Sequence, residues 1–329
     1  MALEFRTVVD VQPFPFLLGY NTPMLFCGSC FTENIGSIMY ERKMPIIVNP
    51  FGVVYNPISV KLVIERILSS KPFEESELNF RNDLWYSYLH HTSFSSPDKE
   101  KCLELINAEQ AKASDFIKRT KCMLITFGTA RTYFLKQSAE PVANCHKIPA
   151  REFENRLLKV DDIVKEWSTL IDKLLKHNPD FKIVFTISPV RHWKDGAVGN
   201  QHSKSILNVA VHELIAAYPN NTFYFPAFEI LMDDLRDYRY YADDMLHPSK
   251  VAIDYIWEKF KGAIIDVDSQ KLINDIEKVI TAVNHRPFNP NTKEYKAFVN
   301  NTLKQIERIK SFESSLNFEI EEAALNQFL

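Results

Sequence analysis

Short apolar runs alternate with helical patterns through most of the chain. The first run, Pro23-Met24-Leu25-Phe26, is continuous in the manner of a strand buried on both faces, and predicts a strand ending at Gly28. After it, Ile35, Ile38, Met39 and Arg42 recur at three- and four-residue intervals, which puts the apolar ones on one helical face turned to the sheet. The second run, Pro45-Ile46-Ile47-Val48, breaks at Asn49-Pro50-Phe51-Gly52. A helix is predicted from Pro57, with Val60, Ile64, Ile67 and Leu68 inward. The third run, Cys122 to Phe127, ends at Gly128-Thr129-Ala130. The fourth, Phe181 to Ile187, follows an amphipathic helix carrying Ile163, Trp167, Leu170, Ile171 and Leu174, and stops at Ser188-Pro189. The fifth, Thr222 to Phe225, comes after a helix with Ile206, Leu207, Ala210, Val211 and Leu214. A last helix is predicted from Pro248 to about Phe260, closed by Gly262.

This alternation is that of an α/β domain with a parallel sheet. Three stretches depart from it. Residues from about Ser69 to Thr120 read as an insertion, with a strand over Leu84 to His91 and a charged helix from about Pro97. Phe134 to Phe153 reads as a loop containing Asn144-Cys145-His146-Lys147. The tail beyond Asp266 reads as two or more helices, split by Asn284 to Pro290. Insertion and tail are expected to be packing or dimer elements, so a homodimer stays open; a lid over the site is the sharper alternative. The expected division is a domain over 1–265, with its insertion at about 69–120, and a helical extension over 266–329.

Composition narrows the partners. A chain of 329 residues that is 46% hydrophobic and 25% charged is ordinary for a globular protein. The net charge of −3 and the absence of a Lys/Arg block argue against nucleic acid. Met1 to Asp10 carries Glu4, Arg6 and Asp10 and lacks a signal-peptide pattern, and no run is long enough to span a membrane. Five cysteines, odd in number and scattered, do not form a disulfide framework, so a cytoplasmic location is expected.

Two motifs carry chemistry. Cys27-Gly28-Ser29-Cys30-Phe31-Thr32-Glu33 lies at the join of the first strand and its helix. A nucleophile on such a turn points out of the sheet, and the free N–H groups of the first helical turn face the charge it develops. A thiol there ionises more easily than a free one. Read blandly, Cys27 and Cys30 are core cysteines, and a Cys-x-x-Cys pair also suggests redox or metal chemistry. The second motif is Asp243-Asp244-Met245-Leu246-His247-Pro248, immediately before the last helix. One ring nitrogen of His247 can reach a nucleophile while the other donates to a carboxylate, Asp244 or the adjacent Asp243. Alone, Asp-x-x-His could also be a capping Asp near a surface His. His146, His192 and His247 have no recognisable zinc-ligand spacing. Arg191, His192 and Trp193 follow the fourth strand and could shape a substrate pocket, Arg191 holding a carboxylate or phosphate; a plain surface loop is the alternative.

Gly28-Ser29-Cys30-Phe31-Thr32-Glu33 resembles the first block of the SGNH or GDSL hydrolases, and Gly-Ser-Cys-Phe resembles the signature of the GSCFA family, a bacterial branch of that group. Asp244-x-x-His247-Pro248 resembles their last block, so the resemblance spans roughly Met24 to Gly262. It implies a three-layer α/β sandwich with about five parallel strands in flavodoxin-like order. It also implies a Cys-His-Asp triad of Cys30, His247 and Asp244, with Cys30 rather than Ser29 as nucleophile. The implied oxyanion donors are the Cys30 N–H, Gly52 by position, and an Asn of the third block. That block here is Gly128-Thr129-Ala130, which lacks the Asn, and Asn144 is the candidate replacement. Substrate contacts are expected from Ser29, Thr129, His146, Arg191 and His192. The implied activity is ester hydrolysis or acyl transfer on a small-molecule or carbohydrate ester, without cofactor or metal. The alternative is a non-catalytic protein that binds carbohydrate or cell-wall fragments on a decayed hydrolase scaffold, which the missing Asn favours.

Overall fold

The computed structural model describes residues 6–329; the first half of the Met1 to Asp10 stretch considered above, residues 1–5, lies outside them. The chain opens with β1 (Met24–Gly28), α1 (Cys30–Glu41), β2 (Ile46–Val48) and α2 (Pro57–Ser69). A hairpin of β3 (Asn79–Arg81) and β4 (Leu84–Tyr86) leads to α3 (Lys99–Ile117) and β5 (Cys122–Phe127). Next come β6 (Arg131–Leu135), β7 (Pro141–Val142), β8 (Phe153–Leu157) and α4 (Val160–His177). The alternation ends with β9 (Lys182–Ile187), α5 (Gly196–Ala217) and β10 (Thr222–Tyr224). A short α6 (Ala227–Glu229) runs into a π-helical turn at Ile230–Asp234, followed by α7 (Lys250–Ile264). The tail holds α8 (Val267–Asn284), α9 (Lys293–Phe312) and α10 (Glu319–Asn326).

The main sheet has five strands in the order β10-β9-β5-β1-β2, every pair parallel. This is the expected flavodoxin-like order, with the chain reversing direction of travel between β2 and β5. Side chains alternate across it with the period of two that a pleated strand imposes. Leu25, Cys27, Met123, Ile125, Phe127, Ile183 and Phe185 pack with α2, α3, α4 and α5 on one face. Their neighbours Met24, Phe26, Cys122, Leu124 and Val184 pack with α1 and α7 on the other. Three layers result. α8, α9 and α10 bury a separate cluster that includes Ile276, Val279, Val299, Ile306 and Phe318. Ion pairs from the end of α1 fasten it to the sheet domain: Arg42 to Glu277 at 2.6 Å and Lys43 to Glu321 at 2.8 Å.

The structure departs from the sequence reading at three places. The strand over Leu84 to His91 stops at Tyr86, and the chain turns so that the His90 N–H donates to the Ser87 carbonyl at 3.1 Å. The region read as a loop is an antiparallel sheet of order β7-β6-β8. Its strands are half-exposed, so they lack the continuous apolar signal of the main sheet. Gly262 lies inside α7, which continues to Ile264.

Candidate active site

The site is built from the carboxyl ends of the parallel strands, where an open sheet presents its loops. At the end of β1, Gly28 has φ 147°, and a Cβ there would sit 2.3 Å from the Thr126 carbonyl oxygen. Only glycine lets β1 turn so close against β5. The Gly28 N–H donates to Asn49 Oδ1 at 2.8 Å, which ties this turn to the end of β2. Ser29 is the N-cap of α1 in extended backbone, with no side-chain capping bond, and Cys30 is the first helical residue. The Thr32 N–H donates to the Ser29 carbonyl at 2.8 Å, which leaves the N–H groups of Cys30 and Phe31 without partners within the helix. Cys30 is half-buried, and its sulfur lies 3.7 Å from the Tyr55 hydroxyl. Tyr55 is rigidly held, because its carbonyl accepts from the N–H of Gly128 at 2.7 Å and of Thr129 at 3.0 Å. Burial, and then the neighbouring Cys30, push the Tyr55 phenol well above its ordinary pKa, so it stays protonated.

His247 stands in the turn that leads into α7. Its Nδ1 lies 2.5 Å from Asp244 Oδ2, while Asp244 Oδ1 accepts from the N–H of Leu246 and of His247, both at 2.9 Å. These bonds, the His247 N–H first, lower the Asp244 carboxyl to about 2. Met245 between them has φ 59°, a strained value for a side-chain-bearing residue, and it turns His247 back onto the carboxylate. The Ala242 N–H donates to the His247 carbonyl at 2.8 Å, closing the turn. The far end of α7 bonds to the segment before β1: the Leu18 N–H donates to the Ile264 carbonyl at 2.7 Å. α7 thus runs against the strands, with its start toward their carboxyl ends; among the described residues His247 bonds to Asp244 and not to the Cys30 sulfur, whose side-chain contact is the Tyr55 hydroxyl.

The other residues singled out in the sequence do different work. Ser29 is 2% exposed and its hydroxyl is buried without a partner, so it is neither a surface nucleophile nor a substrate contact. Thr129 is 4% exposed; its hydroxyl meets Ser203 Oγ at 3.0 Å and accepts the Arg131 N–H at 3.1 Å. It is a fastener between the end of β5 and α5. The Gly52 N–H donates to the Asn49 carbonyl at 2.7 Å and is committed to its own turn rather than open to an oxyanion. Glycine is required there because φ is +86° and a Cβ would lie 2.2 Å from the His91 Cβ. Asn144 Oδ1 accepts the His146 N–H at 2.8 Å, and its own N–H donates to Tyr88, so it belongs to the small-sheet region. His146 Nε2 lies 2.9 Å from the Ser87 carbonyl, and burial lowers its pKa. His192 Nδ1 pairs with Asp195 at 2.9 Å. The three histidines thus have separate partners, and among the described residues no group of three or more His, Cys, Asp or Glu could hold a metal ion. Cys27, the other half of the Cys-x-x-Cys, is a core residue whose burial pushes its thiol up to about 12. All five cysteines are free.

Arg191 does reach an open groove of about 740 Å³, together with Trp193, Tyr238, Tyr241, Met245 and Asp244. The Asp244 carboxylate therefore borders a recess with aromatic walls. Two residues near the site were not legible as such in the sequence. Tyr55 carries no motif. Lys204 on α5 is 1% exposed and donates to the carbonyls of Gly128 at 2.7 Å and Ser188 at 2.6 Å, clamping the ends of β5 and β9. Desolvation lowers its ammonium to about 7. Its signal was its place three residues before Leu207 and seven before Val211, on the buried stripe of α5.

Among helices of the described residues, none is long and apolar enough to cross a membrane. No curated protein matches the chain. A solved structure from Streptococcus pneumonia, provisionally named a platelet activating factor, is 15% identical, covers 73% of this chain and 83% of its own, and gives a TM-score of 0.38. A carbohydrate esterase family 3 structure from Talaromyces cellulolyticus is 8% identical, covers 78% and 99%, and gives a TM-score of 0.36. The model of the GSCFA family matches residues 23–260, and that of the GSCFA domain protein C-terminal domain matches residues 276–329. With the greater part of its length matched in this way, the chain belongs to the GSCFA family.

Proposed function

We propose that this protein is an ester hydrolase or acyl-transfer enzyme that works through Cys30, His247 and Asp244. The observation that supports the reading is the preformed Asp244–His247 pair in the loop before α7, on a chain whose Cys30 opens α1 directly after β1. In this scheme His247 takes the thiol proton through Nε2, and the Cys30 sulfur bonds to the acyl carbon. The carbonyl electron pair moves onto oxygen, facing the free N–H groups at the start of α1. Collapse of the intermediate expels the alcohol, which leaves with the proton from His247, and a thioester remains on Cys30. Water or a second alcohol then repeats the sequence. Asp244 stabilises the imidazolium while it lasts and fixes the ring tautomer. The aromatic groove beside Asp244 suits the sugar of an acylated carbohydrate, with Arg191 set to meet an anionic substituent.

The test is reaction with p-nitrophenyl acetate. The expected result is a burst of nitrophenol equal to the enzyme present, with an acetyl mass increment on Cys30, and no burst in Cys30→Ala. A burst that survives Cys30→Ala would overturn the thiol mechanism. One observation favours a second reading, a carbohydrate-binding protein on a decayed scaffold: Gly52 and Asn144 are both committed to local turns. That reading predicts sugar binding in the groove with no burst at all.

A further inference from the structure

We infer that Tyr55 is a catalytic residue of the same site, the hydroxyl donor that completes the oxyanion hole. This rests on the acyl-transfer reading above and adds to it a group that the motifs do not contain. The start of α1 offers backbone donors, but the other donors expected for the hole are occupied. The Gly52 N–H is bonded to the Asn49 carbonyl at 2.7 Å, Asn144 is held in the small-sheet region, and the third-block position is the buried methyl side chain of Ala130. The polar side chain that does approach the nucleophile is Tyr55, with its hydroxyl 3.7 Å from the Cys30 sulfur.

The distance fits the role. When sulfur bonds to the acyl carbon, the new oxyanion lies roughly 2.7 Å from the sulfur, and a useful donor sits about 2.7–3.1 Å from that oxygen. A hydroxyl 3.7 Å from the sulfur can satisfy both without moving the backbone. The backbone is also fixed, since the Tyr55 carbonyl holds the N–H groups of Gly128 and Thr129 and the Val54 N–H donates to the Gly28 carbonyl at 3.1 Å. The Tyr55 backbone is thereby braced between the ends of β1 and β5, which anchors the side chain beside Cys30. Tyr55 is 42% exposed, and a phenol, with an ordinary pKa of about 10, is protonated at neutral pH. In the free enzyme the hydroxyl lies against the Cys30 sulfur; in the tetrahedral intermediate it donates to the oxygen. Tyr55 keeps its proton throughout: the carbonyl electron pair moves onto oxygen as the S–C bond forms, and returns as the C–O bond to the leaving alcohol breaks, while His247 carries the proton from the thiol to that alcohol.

The experiment compares two reactions of Cys30 in wild type and Tyr55→Phe. Acylation by p-nitrophenyl acetate forms an oxyanion, whereas alkylation by iodoacetamide does not. Alkylation is followed at Cys30 by mass spectrometry, at the plateau of its pH profile, so that thiolate is compared with thiolate. The expected result is a burst rate about 10²-fold slower in Tyr55→Phe, the loss typical of one oxyanion donor, with the alkylation plateau and the melting temperature unchanged. Equal burst rates in the two proteins would overturn the role. A parallel fall in burst and alkylation would also overturn it, because Tyr55 would then serve the thiolate and not the oxyanion. Wild type that alkylates at Cys30 but shows no burst would sink the acyl-transfer reading itself, and with it the role given to Tyr55.

Discussion

Two histidine–aspartate pairs in this molecule span the same three residues and join the same kind of atoms, yet they are built differently. In the first, Asp244 precedes His247; one carboxylate oxygen takes two backbone N–H groups and the other faces the ring at 2.5 Å. In the second, Asp195 follows His192; one oxygen faces the ring at 2.9 Å and the other lies 3.3 Å from the Arg131 guanidinium. Backbone N–H groups orient Asp244 and leave its full charge for the imidazole. A guanidinium neutralises Asp195 before His192 can use it. The lesson is that spacing does not make a catalytic dyad; what else the carboxylate holds decides whether its charge is available.

The comparison breaks most visibly if Asp244 is dispensable. Asp244→Asn keeps the side-chain shape but replaces the acceptor that sets the His247 tautomer, and the equivalent change in a serine triad lowers turnover by about 10⁴-fold. Because a thiol needs less help than an alcohol, the expected loss of burst rate here is about 10³-fold. Stopped-flow release of nitrophenol checks it. A burst rate near wild type would mean that His247 finds its orientation elsewhere.

Lys204 extends the comparison to a charge with no carboxylate at all. Its two carbonyl acceptors match the two N–H groups of a neutral amine, and burial lowers its pKa from 10.5 to about 7. Between those values the unfolded chain binds a proton that the folded one does not, so folding stability rises with pH across that window and is flat below it. The slope from this one group is at most about 1.4 kcal/mol per pH unit. Urea unfolding at a series of pH values should show the rise in wild type, and Lys204→Met should lack it. Lys204→Met will be less stable at high pH, since the Gly128 and Ser188 carbonyls then lose their donor.

The sheet order, the turn from β1 into α1 at Cys30 and the Asp244–His247 pair were legible because each rests on local pattern: continuous apolar runs, a strand-to-helix turn, and a three-residue spacing. What the sequence concealed depends on partners far along the chain. Thr129 looks like a strand-end functional residue, but its hydroxyl is consumed by Ser203, 74 residues away. Gly52 fits a hydrolase block by position, yet its reason for being glycine is the approach of His91. Tyr55 gains its meaning only because the end of β5 grips its carbonyl. The β7-β6-β8 sheet escaped notice because a half-exposed antiparallel sheet has weak periodicity, and its register is set by pairing such as Arg131 with Leu157.

The smallest effect is expected at the second pair. Asp195 is mostly buried and connects three elements: Arg131 on β6, His192 in the loop after β9, and the start of α5, for which it is the N-cap residue. Asp195→Asn keeps the volume and can still accept from one neighbour, but it leaves the Arg131 guanidinium without its anion. Breaking one partner of a part-buried pair typically costs about 1–3 kcal/mol, which a melting curve resolves. The same variant should acylate with p-nitrophenyl acetate at the wild-type rate, because nothing in the proposed mechanism draws on the His192 ring. A fall in burst rate comparable to that of Asp244→Asn, with melting unchanged, would make His192–Asp195 the working pair and His247–Asp244 the fastener.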